Sequence, residues 1–374
     1  MPDDPVLPQY GGPCLSSVVP ALLARHGAEA PAWLPEPARE AAQIVLLVLD
    51  GLGWEQLQAG RAAAPTLAAG RGGPITSVAP TTTATALTSI TTGRVPAEHG
   101  VVGYRVRVEG SGDGADEVMN VLRWRAGSGD MRRRLPARTF QPVTPFDGQP
   151  VVAVTRAEFS STGFTAAHLY GVRLAGWSVP STLVVEVGRL LRQGEPFVYA
   201  YYDGLDKVAH ERGLGDHYAQ ELRSAERLVC DLLEVLPPGA TLVVTSDHGQ
   251  VEVGTSARLP GPEIMAEVEL LSGEGRFRWL HARPGAIDAL SSAAAEMHGD
   301  EAWIVTREQM VDEGWFGGPL KPEVAKRLGD VALVARAPVA FLDPADTGET
   351  RLLARHGSLT AAEMFVPFVA FAGP

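Results

Sequence analysis

A run of hydroxyl residues, Pro80-Thr81-Thr82-Thr83, opens a segment in which Ala84, Leu87 and Ile90 follow a helical spacing and Gly93 is placed to end the helix. The threonines then sit at a helix N-terminus, where unbonded N–H groups and the helix dipole favour an anion, although a Thr-rich start is more often only a cap. Asp206-Lys207-Val208-Ala209-His210 sets a carboxylate and an imidazole at i and i+4. On a helical turn both face one way and can share a cation, while such a pair standing alone is more often a surface pair. Asp247-His248 follows an apolar run, where the dipeptide either forms a turn or presents two donors. Asp50 ends the run Ile44–Leu49, and a carboxylate there must find a partner or a cation. His356-Gly357 precedes the closing apolar run and by itself reads as a loop histidine. Together these elements supply three aspartates, three histidines and a hydroxyl. The donors are oxygen and nitrogen without thiolate, which suits Zn²⁺ in a catalytic site, or Mn²⁺.

Something must bring these groups to one place. Ile44–Leu49 stops at Asp50-Gly51, Phe197–Tyr202 stops at Asp203-Gly204, and Leu242–Val244 runs into Thr245-Ser246-Asp247-His248-Gly249. Short unbroken apolar runs fit strands buried on both faces of a parallel sheet. Helical patterns such as Pro180–Arg192 and Tyr218–Leu236 separate them, as right-handed βαβ connections require. The fold class is therefore α/β, a three-layer sandwich around a mostly parallel central sheet. Ligands of such sheets bind beyond the carboxyl ends of the strands, where these runs meet carboxylates. From Gln250 to Arg336 the pattern changes, with Arg276, Arg278, Trp279, Arg283, Trp303 and Trp315 among Glu- and Gly-rich stretches. We expect residues 251–336 to form a small inserted cap on a catalytic core of residues 1–250 plus 337–374. Core-type runs resume at Val331–Val334 and Phe365–Phe371.

The 374-residue chain is 45% hydrophobic, enough for a large core, and its net charge of −12 argues against general nucleic-acid binding. An anionic substrate remains compatible, because bound divalent ions reverse the local sign. Two distant cysteines, Cys14 and Cys230, read as small core residues and point to a reduced, cytoplasmic setting. Met1–Tyr10 lacks the pattern of an export signal, and no apolar run is long enough to span a membrane, so no membrane partner is expected. The sequence specifies no oligomeric state.

The ordered set resembles the alkaline phosphatase superfamily, and most closely its type I phosphodiesterase/nucleotide pyrophosphatase branch. The residues that carry the resemblance are VLLVLDG ending on Asp50-Gly51, the PTxT start Pro80–Thr83, Asp206-x-x-x-His210, Ser246-Asp247-His248-Gly249 and His356-Gly357. Thr92-Gly93-Arg94-Val95-Pro96-Ala97-Glu98-His99-Gly100 resembles the branch's T-G-x-x-P-x-x-H-G. The resemblance assigns one divalent ion to Asp206, His210 and His356. It assigns the other to Asp50, Asp247 and His248, with Thr83 as nucleophile coordinated there. It implies hydrolysis of a small phosphorylated substrate at a phosphodiester or pyrophosphate bond, through a covalent phospho-threonine, with two ions about 4 Å apart clamping the displacement. A phosphomonoesterase or a phosphonoacetate-hydrolase-like enzyme with the same site is the alternative, and a metal-binding homologue without turnover is another. The branch commonly has Asn three residues after the nucleophile, to hold a phosphate oxygen, and Lys or Arg just before it. This chain has Ala86 and Thr82 at those positions. Oxyanion stabilisation is then expected from the helix-start N–H groups, Lys207, or an arginine such as Arg105 or the cap's Arg278. His99 is expected to make a structural hydrogen bond. The sulfatase branch is disfavoured, since Cys14 is followed by Leu15-Ser16-Ser17 and no C/S-x-P-x-R run occurs.

Overall fold

The computed structural model describes residues 4–27, 30–110 and 114–374, so the first three residues of the Met1–Tyr10 segment lie outside them. Seven strands form the central sheet, in the spatial order Arg71–Thr76, Phe365–Ala372, Ala240–Thr245, Gln43–Leu49, Phe197–Tyr202, Val152–Arg156, Arg173–Trp177. Gln43–Leu49 lies in the middle and pairs in parallel with both Ala240–Thr245 and Phe197–Tyr202. Val152–Arg156 and Arg173–Trp177 continue the parallel run. Phe365–Ala372 is antiparallel to its two neighbours. The alternation along Gln43–Leu49 divides its side chains between two cores. Ile44, Leu46 and Val48 face one, with the helices Leu15–Leu23 and Thr83–Thr92. Val45, Leu47 and Leu49 face the other, with Pro180–Arg192 and Asp216–Glu234. Each such side chain stabilises the fold by roughly 1.5–3 kcal/mol, which explains the unbroken apolar run Ile44–Leu49. Asp216–Glu234 buries Tyr218, Leu222, Ala225, Leu228, Val229 and Leu232, the single stripe its helical period requires.

Residues 268–335 hold an antiparallel sheet in the order Val268–Glu274, Phe277–Ala282, Val331–Ala335, Ala302–Thr306. The run Val331–Val334, which by composition matches the central strands, belongs here. Val331, Leu333 and Ala335 pack on the helix Ile287–His298, whereas Ala332 and Val334 join the core on one side of the central sheet. Both faces are covered, so the run is apolar throughout and its composition does not reveal which sheet it enters. Arg276 ties this sheet to the helix Ala361–Met364 through a fully buried pair with Glu363, 2.7 Å from Nε to Oε1. A third sheet is the antiparallel meander Arg105–Val108, Glu117–Asn120, Arg125–Ala126 and Gly129–Asp130. Among the described residues no helix is long and apolar enough to cross a membrane.

Candidate metal centre and active site

The three central strands each deliver a carboxylate as they end. Asp50 follows Gln43–Leu49, and Asp247 follows Ala240–Thr245. Phe197–Tyr202 leads into the helix Gly204–Arg212, which carries Asp206 and His210. Asp203 at the strand end is absent from the cluster because it pairs with Arg156, 2.7 Å away. Gly51 makes the approach of two strand ends possible. Its φ is +78°, and a Cβ there would lie 2.9 Å from Asp206 Cα. The backbone N–H of Asp206 donates to Asp50 O at 3.1 Å across this contact.

Thr83 is the first residue of the helix Thr83–Thr92, and no side chain caps that helix start. Thr81 locks the start onto the histidine loop. Its hydroxyl donates to Ser358 O at 2.7 Å and accepts from the N–H of Gly357 at 3.0 Å. The Pro80–Thr83 and His356-Gly357 motifs therefore belong to one structural unit.

Among the described residues two groups have metal-ligand spacing, Asp206/His210/His356 and Asp50/Asp247/His248, each with its donor atoms within 4.8 Å of one another. In the first, Asp206 Oδ1 lies 3.2 Å from His210 Nε2 and 3.8 Å from His356 Nε2. In the second, His248 Nε2 lies 3.5 Å from Asp50 Oδ1, 3.3 Å from Asp247 Oδ2 and 3.2 Å from Thr83 Oγ1. The rings of His248 and His356 stack at 3.5 Å, so the two groups are contiguous.

The hydrogen bonds around these residues settle which atoms are free. Each histidine donates its Nδ1–H to a backbone carbonyl: His210 to Ala354 at 2.8 Å, His248 to Gly249 at 3.1 Å, His356 to Thr81 at 2.8 Å. All three therefore turn an unprotonated Nε2 toward the cluster, the tautomer that binds a metal, and that of His248 faces Thr83 Oγ1. Asp247 Oδ1 accepts from the N–H groups of Gly51 and His248, and Asp50 Oδ2 accepts from the Tyr201 hydroxyl. The other oxygens, Asp50 Oδ1 and Asp247 Oδ2, are buried and have no hydrogen-bond partner among the described residues.

Electrostatics point the same way. Burial, then the neighbouring charges of Asp247 and Asp206, holds the Asp50 carboxyl well above the usual carboxylate range. Burial also raises Asp247. Burial, then His248 and His210, keeps His356 neutral far below the ordinary histidine range. Orphaned carboxylate oxygens packed together at 2% exposure or less are costly, and cations of the right charge would remove that cost. The donor set fits Zn²⁺ or Mn²⁺.

Beside Thr83 opens a cavity of about 600 Å³ lined by Leu122, Phe159, Phe164, His168, Tyr199 and Tyr201, with Arg123, Arg125 and Arg132 among its further walls. His168 stacks on Phe164 at 4.1 Å between centroids, and burial holds its imidazole at about 4. None of the residues lining this cavity comes from residues 251–336. Most of the cavity wall comes from segments 122–132 and 155–168. A larger groove of about 1150 Å³, beside Arg107 and Lys326, touches none of the ligand residues.

The remaining sequence candidates fall away from Thr83. Arg278 is fully buried and bonds Phe341 O, Ser272 O, Gly273 O and Glu349. Arg105 is buried against Asp343 at 2.5 Å. Both guanidiniums are occupied inside the fold. Lys207 is exposed next to Asp206. Ala86 is fully buried in the hydrophobic core and does not line the cavity. His99 bonds Ser89 Oγ at 2.8 Å and accepts from Val101 N–H, the structural role expected of it. Sequence reasoning missed Tyr199, Tyr201, Gln250 (which donates to Asp206 Oδ1 at 2.6 Å), Phe164 and His168. The two tyrosines are two residues apart in a strand and so share a face, a signal that the wholly apolar run FVYAYY concealed.

Residues 44–359 match the sequence profile of the family described as "Type I phosphodiesterase / nucleotide pyrophosphatase". No curated protein sequence matches the chain. Similar solved structures include murine ectonucleotide pyrophosphatase/phosphodiesterase 5, at 15% identity and TM-score 0.63, covering 89% of this chain and 88% of that one. The human protein gives 15% identity, TM-score 0.64 and the same coverages. An inactive threonine-to-alanine variant of the murine protein in complex with AMP gives 14% identity and TM-score 0.64 over 89% and 88%.

Proposed function

This chain belongs to the type I phosphodiesterase/nucleotide pyrophosphatase family of hydrolases, and from that premise we propose that it cleaves phosphodiester or pyrophosphate bonds of small nucleotide-like substrates with Thr83 as nucleophile at a two-metal site. The observation that carries this reading is the set of free donor atoms. In each histidine Nδ1 is taken by a backbone carbonyl, Asp50 Oδ1 and Asp247 Oδ2 have no partner among the described residues, and His248 Nε2 lies 3.2 Å from Thr83 Oγ1.

Asp50, Asp247, His248 and Thr83 would hold one ion, and Asp206, His210 and His356 the other. Bound divalent ions, for which the donor set suits zinc, would lower the hydroxyl pKa and neutralise charge on the transferring phosphoryl group. Thr83 is the one residue of its cluster with appreciable exposure, at 8%, and it borders the cavity. Its hydroxyl oxygen attacks phosphorus and loses its proton to solvent, the P–O bond to the leaving group breaks, that group leaves as an alcohol (taking a proton from solvent) or a phosphate, and a phosphoryl-threonine ester forms. Water then attacks that phosphorus and releases Thr83. The uncapped helix start offers N–H groups to a phosphoryl oxygen, a role that needs no side chain at position 86.

The 600 Å³ cavity has room for a ring system between Phe164 and the two tyrosines, which favours a substrate with a bulky group on phosphate. The AMP held by the murine relative is of this kind. Both cysteines are free, which supports a cytoplasmic setting. Rates on bis-p-nitrophenyl phosphate and p-nitrophenyl phosphate, with Zn²⁺ or Mn²⁺ and with Thr83→Ala as control, test the reading. The diester should be the better substrate, and Thr83→Ala should abolish turnover. Wild-type rates in Thr83→Ala would remove the nucleophile assignment. A dominant monoesterase activity would transfer the site to the other reaction.

A further inference from the structure

The two carboxylates of the Thr83-side group are held in different ways. Asp247 Oδ1 is fixed by two backbone N–H groups, at 3.2 Å from Gly51 and 3.1 Å from His248. Asp50 Oδ2 receives only the hydroxyl of Tyr201. Asp50 is 2% exposed, so no bulk water can take over that bond. A buried carboxylate with two equivalent oxygens can rotate about its last torsion or bind in a bidentate manner. The tyrosine removes that equivalence. It commits Oδ2 and leaves Oδ1, the orphaned oxygen 3.5 Å from His248 Nε2, as the atom facing the ligand cluster.

We propose that Tyr201 is a positioning residue for metal binding, its phenol fixing Asp50 so that Oδ1 alone is offered to the ion shared with Asp247, His248 and Thr83. The inference rests on the two-ion reading above. Hydrogen-bonded partners of ligating carboxylates typically contribute 10–100-fold to metal affinity. The structure supplies a matched control. Tyr199 lies two residues earlier on the same strand and lines the same cavity, and it is buried to a similar degree. Its hydroxyl has no hydrogen-bond partner among the described residues.

The test is a Zn²⁺ titration of the metal-free full-length chain against a chromophoric chelator, for wild type, Tyr201→Phe and Tyr199→Phe. Wild type should bind two ions. Tyr201→Phe should weaken one of them about 10–100-fold and leave the other within about twofold, while Tyr199→Phe leaves both affinities unchanged. Incorporating p-aminophenylalanine at position 201 restores an N–H donor at the same reach and should recover most of the lost affinity; it also keeps the test decisive if Tyr201→Phe does not fold. Equal affinities in Tyr201→Phe and wild type overturn the proposal, as does equal weakening of both ions or a matching loss in Tyr199→Phe. A wild-type chain that binds fewer than two ions instead overturns the two-ion reading itself.

Discussion

Replacing Gly51 by alanine would drive a methyl group into the contact that brings two strand ends together. The new Cβ would lie 2.9 Å from Asp206 Cα, Asp206 Cβ and Gln250 Nε2. Carbon atoms pack at about 3.5–4.0 Å, so Asp206 must retreat by roughly half an ångström or more. The backbone adds a second cost, since φ at Gly51 is +78° and an L-residue held there loses roughly 1–2 kcal/mol. The two effects can be separated. Gly194 has φ +83° and nothing within 4 Å of its built Cβ, so Gly194→Ala incurs the backbone cost alone. Chemical denaturation of the metal-free variants should show a loss of about 1–2 kcal/mol for Gly194→Ala and a larger one for Gly51→Ala, which adds the steric contact. Only Gly51→Ala should bind zinc more weakly and hydrolyse bis-p-nitrophenyl phosphate about tenfold more slowly, given that a misplacement of about 1 Å costs on the order of 100-fold. If both variants kept full metal content and rate, the argument that Gly51 sets the spacing between Asp50 and Asp206 would be refuted.

Three further perturbations read other parts of the structure. Arg276→Met leaves Glu363 buried without its charge partner and should destabilise the fold by about 3–5 kcal/mol in urea titrations; a loss below about 1 kcal/mol would contradict the fastening role given to this pair. His99 is held at about 3 by burial, then by Arg327, against an ordinary 6.5. The unfolded chain therefore takes up a proton below 6.5 that the folded chain refuses until about 3, so stability present above 6.5 is lost as pH falls through that window. His99→Gln should lower the slope of stability against pH there by about 1.4 kcal/mol per pH unit, and an unchanged slope would show that His99 is not the group responsible. Phe164→Ala removes an aromatic side chain from the cavity wall. It should raise KM about tenfold for nucleoside or aryl phosphodiesters and by less than about twofold for a methyl-substituted diester; equal effects on both would move the substrate elsewhere.

The elements that hold the site were legible because their physics is local. Phe197–Tyr202 and Pro180–Arg192 have the bounds read from the chain, and the helix that opens at Thr83 ends at Gly93 with φ +63°. Apolar runs stopping on aspartates identified the carboxyl edge of a parallel sheet, and the five motifs named all seven clustered residues. What escaped depends on contacts distant in sequence. Val331–Val334 fits either sheet until its two faces are assigned. Arg105 and Arg278 resemble anion-binding groups in sequence, and only the fold shows Asp343 and Glu349 waiting for them. Ala86 stands where the branch has an Asn, and only the fold shows that the helix turns this position into the core. The pocket wall at residues 122–132 and 155–168 carries no motif, because a surface for a ring system asks only for aromatic and apolar side chains.

The central claim is that two ions sit in this cluster with Thr83 bonded to one of them. A crystal structure of the zinc-loaded chain, with anomalous data collected at the zinc edge, tests it directly. Two peaks about 3.5–4 Å apart are predicted, one within about 2.0–2.2 Å of Asp50, Asp247, His248 and Thr83 and the other at that distance from Asp206, His210 and His356. A single peak, or peaks away from these residues in a zinc-saturated and active chain, would contradict the account.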